Sequence, residues 1–404
     1  MTLKYSGRCS LFVLILACSS PNEENISRDF PTFELHEGVV DKPENVLASV
    51  EFIPLKFPEG TPVQYFGFDP FLAFAEDKIF LNTDPYMNPT LHLFDYSGNH
   101  LQTIDRKGGG PNEYGNIDQF GITVDNQLAV VSDFTLLEFD DKMDIIRRIN
   151  PNKDGTFYSI SDLEALDAKT WFLALRGTEA DKDGFTQNFA IFDKDSITYE
   201  FLPLKSYPAS GSGGDGAIAP YQDGYLLNFG FSDTLYHYAD GKVKALLALS
   251  YGDRRLPEEM RMKTEDQLDE ELAGMISTQD YDLNLGDINV AGESISFHAF
   301  GIKPAPIPMS ELEKMETLPD NLPLFEVFIH PEKNAIKATK IVKQMSGRSF
   351  SDGEYFYRLL YTEDWNGILE DQSLGVELGK RLEAASQQLN DEEDPILIRY
   401  QVKW

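Results

Sequence analysis

The chain of 404 residues is poor in cysteine, since it contains only Cys9 and Cys18. Both lie at the N-terminus, on either side of the apolar run Leu11–Ala17. A disulfide framework or a cysteine-ligated metal site in the body of the chain is therefore excluded. The six histidines are scattered, with no His-x-His or His-x-x-x-His pair, so their spacing gives no support to a histidine metal site either.

Basic residues are also scarce, because 35 Lys and Arg stand against 67 Asp and Glu, for a formal net charge of −32 at pH 7. Such a surface repels the phosphates of nucleic acids and of anionic lipid headgroups. We therefore expect no nucleic-acid partner. Any attachment to a membrane must come from something other than a basic face.

The apolar run Leu11–Ala17 is too short to span a membrane, which takes about 20 residues. It follows two basic residues and ends directly before Cys18, which is the pattern of a secretory signal peptide. The last four residues of this segment, Ile15–Cys18, resemble a bacterial lipobox. That resemblance implies cleavage after Ala17 and lipidation of Cys18. An ordinary signal peptide with a chance cysteine is the alternative.

The stretch after Cys18 is polar and predicts a flexible tether. Glu23 and Glu24 resemble the acidic export signal of Bacteroidetes surface lipoproteins. The predicted organisation is a signal peptide over residues 1–17, a lipidated tether over 18–44 and one domain over 45–404. The expected location is the cell envelope, as an outer-membrane lipoprotein, with the periplasmic or the surface side left open.

Short β-branched and aromatic runs between turn residues dominate the chain, which is typical of all-β proteins. These runs repeat as a strand that ends at Asp, a strand that ends in Phe-Asp, and a third strand. Four clear and two degraded copies cover residues 76–105, 125–150, 167–204, 222–249, 292–342 and 352–363. Units of this kind predict a six-bladed β-propeller. A pair of β-sandwich domains is the rival fold, but it does not explain the shared Phe-Asp spacing.

Segments outside the repeats complete the predicted architecture. Strands near residues 46–57 and 391–404 are expected to pair in the last blades, which closes the ring and leaves no sheet edge open. The run Leu256–Ile276 predicts a helical insertion packed on the propeller. Residues 374–389 predict a C-terminal helix immediately before the closing strand.

The stretch Ile104–Gly115 contains three consecutive glycines, and it is not a nucleotide site. A phosphate-binding loop needs Lys-Ser/Thr and a following helix, and both are missing here. As a structural turn, Gly108 and Gly110 would take positive φ angles, Pro111 would fix its own φ, and Glu113 would accept hydrogen bonds from backbone N–H groups. As a functional turn, its polar side chains would overhang the channel and contact a ligand.

Several segments, from residues 51–57 through 105–120 to 389–404, occur in the order seen in six-bladed β-propeller lipoproteins of Bacteroidetes. The chain resembles this family over nearly its whole mature length, including a Gly-x-Gly-Pro-x-Glu turn. Asp394 stands where the family usually has Asn before Pro395. The resemblance implies a propeller and an envelope location, but no settled activity.

A ligand pocket is predicted on one face of the propeller, because loops alternate between two faces and the longer set shares a face with the glycine turn. Its predicted lining residues at the channel mouth are Arg106, Lys107, Glu113, Tyr114, Asp133, Phe134, Arg176 and Asp233. The three basic residues among them predict an anionic or carboxylate-bearing ligand, held in part by bidentate Arg contacts.

Two functions remain open from the sequence. One is a non-catalytic protein that binds an anionic small molecule, a glycan or an envelope protein. The other is a cation-dependent hydrolase or lyase that acts in the channel. No cofactor is predicted, although Asp residues from separate blades could still hold a divalent cation. No catalytic residue is predicted, because the chain has no Gly-x-Ser-x-Gly elbow.

Overall fold

A computed structural model of the protein describes residues 30–61, 71–82, 89–152, 158–208, 216–264, 267, 274–275, 277–303, 308, 310, 324–340, 348–391 and 393–404. The strands in this part of the chain form six sheets, which are antiparallel except for one parallel pair at an outer edge. The sheets form the blades of one propeller, which confirms the predicted fold. In every blade the first strand of the repeat is innermost, and two strands from the N-terminal stretch lie at the outer edges of two blades.

The N-terminal stretch supplies two strands, β1 (Thr32–Glu34) and β2 (Leu47–Pro54). Three blades then follow in chain order. Blade 1 consists of β3 (Phe71–Phe74), β4 (Ile79–Asn82), β5 (Leu91–Phe94) and β6 (His100–Ile104). Blade 2 consists of β7 (Ile117–Ile122), β8 (Leu128–Ser132), β9 (Thr135–Phe139) and β10 (Ile145–Ile149). Blade 3 consists of β11 (Ser159–Ala165), β12 (Thr170–Arg176), β13 (Phe189–Asp193) and β14 (Thr198–Phe201).

The last three blades complete the ring. Blade 4 consists of β15 (Ile218–Tyr221), β16 (Gly224–Leu227), β17 (Thr234–Ala239) and β18 (Lys242–Ser250). Blade 5 consists of β19 (Leu283–Ala291), β20 (Ser294–Phe300), β21 (Leu324–His330) and β22 (Ala335–Thr339). Blade 6 consists of β23 (Phe350–Ser351), β24 (Phe356–Leu360) and β25 (Ile396–Val402), with β2 as its outer strand.

Middle strands are apolar on both sides because each blade packs between two neighbours. In β8 every residue from Leu128 to Ser132 is buried. Val130 packs with blade 1 residues such as Leu93, whereas Val131 packs with blade 3 residues such as Leu173. A continuous apolar run of five residues between turns is the pattern of a strand buried on both faces.

Both ends of the described chain close the ring, as predicted. β2 pairs antiparallel with β25, with Ile53 opposite Leu397 and Glu51 opposite Arg399. The Arg399 Nη2 atom lies 2.6 Å from Glu51 Oε2 across this pair. Because strands from both ends of the chain share this sheet, the first and last parts of the chain are held together. The ring of blades is closed in this way.

The segment before β2 runs along the outer edges of three blades. β1 pairs parallel with β18 of blade 4, with Phe33 opposite Leu249. Asp41 N then donates to Ala338 O of blade 5, and Thr339 Oγ1 donates to Asp41 O. The structure thus places residues 32–41, which the sequence assigns to the tether, on the propeller itself.

Four α-helices occur in the described part of the chain: α1 (Pro43–Val46), α2 (Glu258–Arg261), α3 (Thr362–Asp371) and α4 (Val376–Ser386). In the predicted insertion the structure describes α2, and much of the remainder lies outside the described residues. α4 is the predicted C-terminal helix before β25. α3 was not predicted. None of the four is long and apolar enough to cross a membrane.

A candidate binding site in the central channel

A cavity of about 310 Å³ lies on the propeller axis. All six blades line it through residues of their inner strands or residues next to them. Its apolar wall includes Phe74, Ile122, Pro220, Val290 and Phe350. A volume of this size falls at the lower end of the range for small-molecule sites.

Hydrogen bonds between inner strands fix the shape of the cavity. Gln119 Nε2 of β7 donates to Ser161 O of β11 at 2.6 Å. The Asp162 carboxylate of β11 then accepts from the N–H groups of Ala217 and Ile218, at 2.7 and 2.8 Å. These bonds join blades 2, 3 and 4, and the β-bulges next to Gln119 and Asp162 turn both side chains toward the following blade.

The same arrangement continues on the other side of the ring. Ile288 N of β19 donates to Gly216 O at 2.7 Å, which joins blades 4 and 5. Ser349 N donates to Asp287 Oδ2 at 3.0 Å, and Asn289 Nδ2 donates to Ser349 O at 3.0 Å, which joins blades 5 and 6. The channel wall is therefore a connected polar belt, and its geometry is set before any ligand binds.

Asp162 and Glu164 place two carboxyl groups on one side of β11. Burial raises the pKa of Asp162 to about 6, although backbone N–H groups and the charge of Arg348 oppose the shift. Burial and the neighbouring charge of Asp162 raise the pKa of Glu164 to about 8. Glu164 borders the cavity and is partly accessible from it, yet it lies deep inside the protein.

Arg348 is the one guanidinium on the cavity wall among the described residues. Its Cζ atom lies 5.5 Å from the ring centroid of Phe71 and 6.0 Å from that of Phe350. Stacking of this kind stabilises a buried cation. The positive charge of Arg348 lowers the pKa of Asp162. Arg348 therefore partly offsets the negative charge of that β11 carboxylate.

Ser349, His298 and Asp287 form a constellation that the sequence analysis missed. His298 Nε2 lies 3.2 Å from Ser349 Oγ, and His298 Nδ1 lies 3.2 Å from Asp287 Oδ2. These distances match those of a serine–histidine–aspartate triad. The three residues come from β19, β20 and the start of blade 6, so their sequence spacing resembles no known motif.

The surroundings of this constellation oppose catalysis. Ser349 Oγ donates to Glu326 Oε1 at 2.9 Å, and Arg358 Nη2 lies 2.9 Å from His298 Nε2. Burial, and then the charge of Arg358, lowers the pKa of His298 to about 3. A base with such a pKa cannot take a proton from serine, and only 2% of Ser349 is exposed. We interpret the group as a structural network between blades 5 and 6.

The glycine turn packs against the outer strand of blade 2. Arg148 of β10 donates to Gly110 O at 3.0 Å and also to Glu113 O. Asn112 Oδ1 accepts from Ile145 N at 2.7 Å, which gives this N–H group of β10 a hydrogen-bond partner. Pro111 O lies 3.3 Å from Arg148 Nε. The turn thus joins blades 1 and 2 by hydrogen bonds.

Glu113 holds the turn together, as the structural interpretation predicts, because its Oε2 atom accepts from Gly110 N at 2.7 Å. The prediction of positive φ at Gly108 and Gly110 is wrong, since neither residue has one. A Cβ atom on Gly108 would instead lie 2.1 Å from Glu113 Oε2. Glycine at this position lets the Glu113 carboxylate approach closely, and a larger residue would force that carboxylate to move.

Three other polar residues of the turn have defined contacts with blade 1, with blade 2 or within the turn itself. Arg106 Nη1 donates to Met143 O at 2.8 Å and to Asp144 Oδ1 at 3.2 Å, in the turn that follows β9. Tyr114 is buried and donates to Ile104 O at 2.7 Å. The backbone of Lys107 forms an isolated parallel β-bridge with that of Tyr114.

Asp133 and Phe134 form the two-residue turn before β9, and both have positive φ angles. The Asp133 carboxylate packs against Gly115, where a Cβ atom would collide with it. Phe134 is exposed. These two residues therefore lie beside one end of the glycine turn, whereas Arg106 contacts the turn at the far end of β9.

Arg176 and Asp233 lie on other blades. Arg176 ends β12 in blade 3, opposite Ser159. Asp233 precedes β17 in blade 4, where its carboxylate accepts from Arg255 Nε at 2.6 Å and Arg261 Nη2 at 2.7 Å. This buried pairing attaches α2 to blade 4.

None of the eight predicted residues lines the central cavity as far as the structure describes it.

Within the described residues, no three His, Cys, Asp or Glu side chains come close enough to hold a metal ion.

Residues 41–401 match the sequence profile of a domain of unknown function, DUF4934. The chain belongs to the DUF4934 family. Comparison with curated protein sequences gives no match.

Two solved structures from Bacteroides are similar to this DUF4934 protein. A candidate exported protein of Bacteroides fragilis has a TM-score of 0.68 at 14% identity, over 93% of this chain and 100% of the other. A DUF4221 family member of Bacteroides vulgatus has a TM-score of 0.56 at 16% identity, over 90% of this chain and 99% of the other. At these identities the likeness concerns the fold.

The sequence analysis of this DUF4934 protein missed the residues that surround the cavity. One signal was available for Asp162 and Glu164, because two acids at i and i+2 within an apolar strand share one face of it. No comparable signal marks Arg348, which precedes a strand of two residues. Its place on the channel depends on ring closure.

Proposed function

We propose that this DUF4934 protein is an exported, lipid-anchored binding protein whose propeller holds a small ligand in its central channel without reacting with it. The observation that carries the proposal is the cavity on the axis, which the inner strands of all six blades line. Its wall combines apolar side chains with a small number of fixed polar groups, which is the composition of small-molecule sites.

Export and anchoring rest on the N-terminal sequence. The basic start, the apolar run Leu11–Ala17 and Cys18 support a lipoprotein signal, but Cys18 lies outside the described residues. The similar fold of a candidate exported protein of Bacteroides fragilis also supports an envelope location. The net charge of −32 favours a lipid anchor over a basic membrane-binding face.

The surroundings of His298 and Ser349, which are spaced as in a catalytic triad, favour binding without catalysis. Burial, and then the charge of Arg358, lowers the pKa of His298 to about 3, which makes it a weak base, and Ser349 Oγ is hydrogen-bonded to Glu326 and Arg358. The predicted alternative, a cation-dependent hydrolase or lyase, would need a metal site that draws on groups beyond those described. The anionic ligand predicted from Arg106, Lys107 and Arg176 remains a prediction, since these residues lie away from the cavity.

A thermal-shift screen of small molecules on the full-length protein tests the proposal. Pro220 borders the cavity and is exposed to it, so Pro220→Trp should fill the channel. Ile146→Trp is the matched control, because Ile146 is exposed on the outer strand of blade 2. Ligands that stabilise the wild type and the Ile146 variant but not the Pro220 variant support channel binding. Ligands that stabilise all three equally contradict it.

A further inference from the structure

The chemistry of the channel ligand can be inferred from Glu164, on the premise that the proposed channel binding is right. Its carboxyl group receives no hydrogen bond from a described residue, and no cation among them offsets its charge. Asp162, two residues earlier on β11, has both: two backbone N–H donors on one oxygen and the nearby charge of Arg348. Of the two carboxyl groups that β11 places on the cavity wall, Asp162 is therefore compensated and Glu164 is not.

The other charged and titratable groups around the cavity already have partners. Asp287 accepts from Ser349 N, and Asp352 accepts from the N–H groups of Glu354 and Tyr355 and from Tyr357 Oη. Tyr225 of β16, whose pKa the charge of Glu164 helps to raise, donates its hydroxyl to Ala165 O. None of these groups supplies the positive charge that an ionised Glu164 lacks.

We propose that the cavity takes a small organic ammonium ion, whose charged end pairs with Glu164 and whose body lies against the apolar wall. A carboxylate on a largely apolar cavity wall is stabilised when a cation pairs with it. The cavity volume equals that of about ten water molecules, which suits a ligand of about as many non-hydrogen atoms. Phe74, Ile122, Pro220 and Val290 offer that ligand an apolar surface.

Binding is coupled to the release of a proton. Before binding, burial keeps the pKa of Glu164 near 8, so most of the protein carries a neutral carboxyl group at pH 7. When the ammonium ion enters, the Glu164 proton passes to the buffer and an ion pair with the ligand forms. Total charge is conserved, because one cation enters the site and one proton leaves it.

Isothermal titration calorimetry of the full-length protein at pH 7 tests this, with 2-phenylethylammonium as the probe and 2-phenylethanol as its neutral counterpart. Titrations in two buffers of different ionisation enthalpy give the number of protons released. We expect the ammonium ion to bind at least about tenfold more tightly than the alcohol, with release of close to one proton. Glu164→Gln should abolish both the preference and the release.

Two control variants separate this inference from the proposed function. Glu200→Gln, at an exposed position of β14, should leave the preference and the proton release unchanged. Pro220→Trp should abolish ammonium binding. Equal affinity for the ammonium ion and the alcohol overturns the inference while channel binding stands. Absent ammonium binding, or proton release that persists in the Glu164 variant, also overturns it. Ammonium binding that survives in Pro220→Trp counts against the channel itself.

Discussion

Arg358 Nη2 lies 2.9 Å from His298 Nε2, so a permanently charged guanidinium occupies the ring nitrogen that a catalytic histidine would turn toward serine. The same guanidinium lies 3.6 Å from Glu326 Oε2, whose carboxylate accepts the hydroxyl of Tyr400 at 2.7 Å. The network thus links blades 5 and 6 through charges that satisfy one another. Its resemblance to a catalytic triad is limited to distances.

Ser349 should not react with a fluorophosphonate probe. The hydroxyl is buried and donates to Glu326, and His298, whose pKa is lowered to about 3, is too weak a base to activate it. We expect equal background labelling of the wild type and of Ser349→Ala, measured by mass spectrometry of the labelled protein. Stoichiometric labelling of the wild type at Ser349, lost in the variant, would show that the triad is active.

Arg148→Ala should destabilise the protein by about 1–3 kcal/mol, because the guanidinium satisfies the carbonyl groups of Gly110 and Glu113 in the turn. Urea unfolding followed by circular dichroism measures this. Lys142→Ala is the control, since Lys142 is exposed in the next turn and should change the stability by less than about 0.5 kcal/mol. If the two variants are equally stable, the contacts of Arg148 with the turn do not stabilise the protein.

Stability should fall as the pH rises from 6.5 to 8. Folding raises the pKa of Glu164 from 4.5 to about 8, so the folded protein holds a proton that the unfolded chain has lost. This contribution is complete below pH 4.5 and disappears as the pH passes about 8, with a slope of up to about 1.4 kcal/mol per pH unit. His92 and His298, whose pKa values folding lowers, act in the opposite sense only below pH 6.5.

Glu164→Gln should flatten this part of the stability profile, and Glu200→Gln should not. Thermal unfolding at pH 6.5, 7.25 and 8 would measure both variants against the wild type. A fall in stability that is identical in all three proteins would exclude Glu164 as its source.

Cys18→Ser should release the protein from the membrane fraction, because the acidic surface offers no electrostatic attachment. Fractionation followed by immunoblotting checks this, with a high-salt wash to remove loosely bound protein. A variant that stays with the membrane through that wash would exclude a lipid anchor at Cys18. Protease treatment of intact cells would then separate surface from periplasmic exposure.

The fold was predictable because its signals are local. The strands of blade 2 lie where their apolar runs and Asp turns predict, since each hairpin is fixed by residues close in sequence. α3 escaped prediction because Trp365 and Ile368 bury only a narrow stripe of it on blade 6. That contact depends on a neighbouring blade rather than on helical periodicity.

The candidate site was less predictable because it draws on all six repeats. Glu164 and Arg348 are 184 positions apart in the sequence yet border one cavity. The basic residues near the glycines suggested a ligand site, but Arg106 is used by Met143 and Asp144. Whether an exposed-looking Arg serves a ligand or a neighbouring turn depends on tertiary contacts that spacing does not encode.

The most direct test of channel binding is crystallography of the protein soaked with brominated fragments of cationic, neutral and anionic character. Bromine gives anomalous peaks that locate each fragment without assumptions about its pose. The account predicts peaks inside the cavity between Pro220 and Asn289, and none there in Pro220→Trp crystals. Peaks confined to the glycine turn around Arg106 and Phe134, with an empty channel, would contradict it.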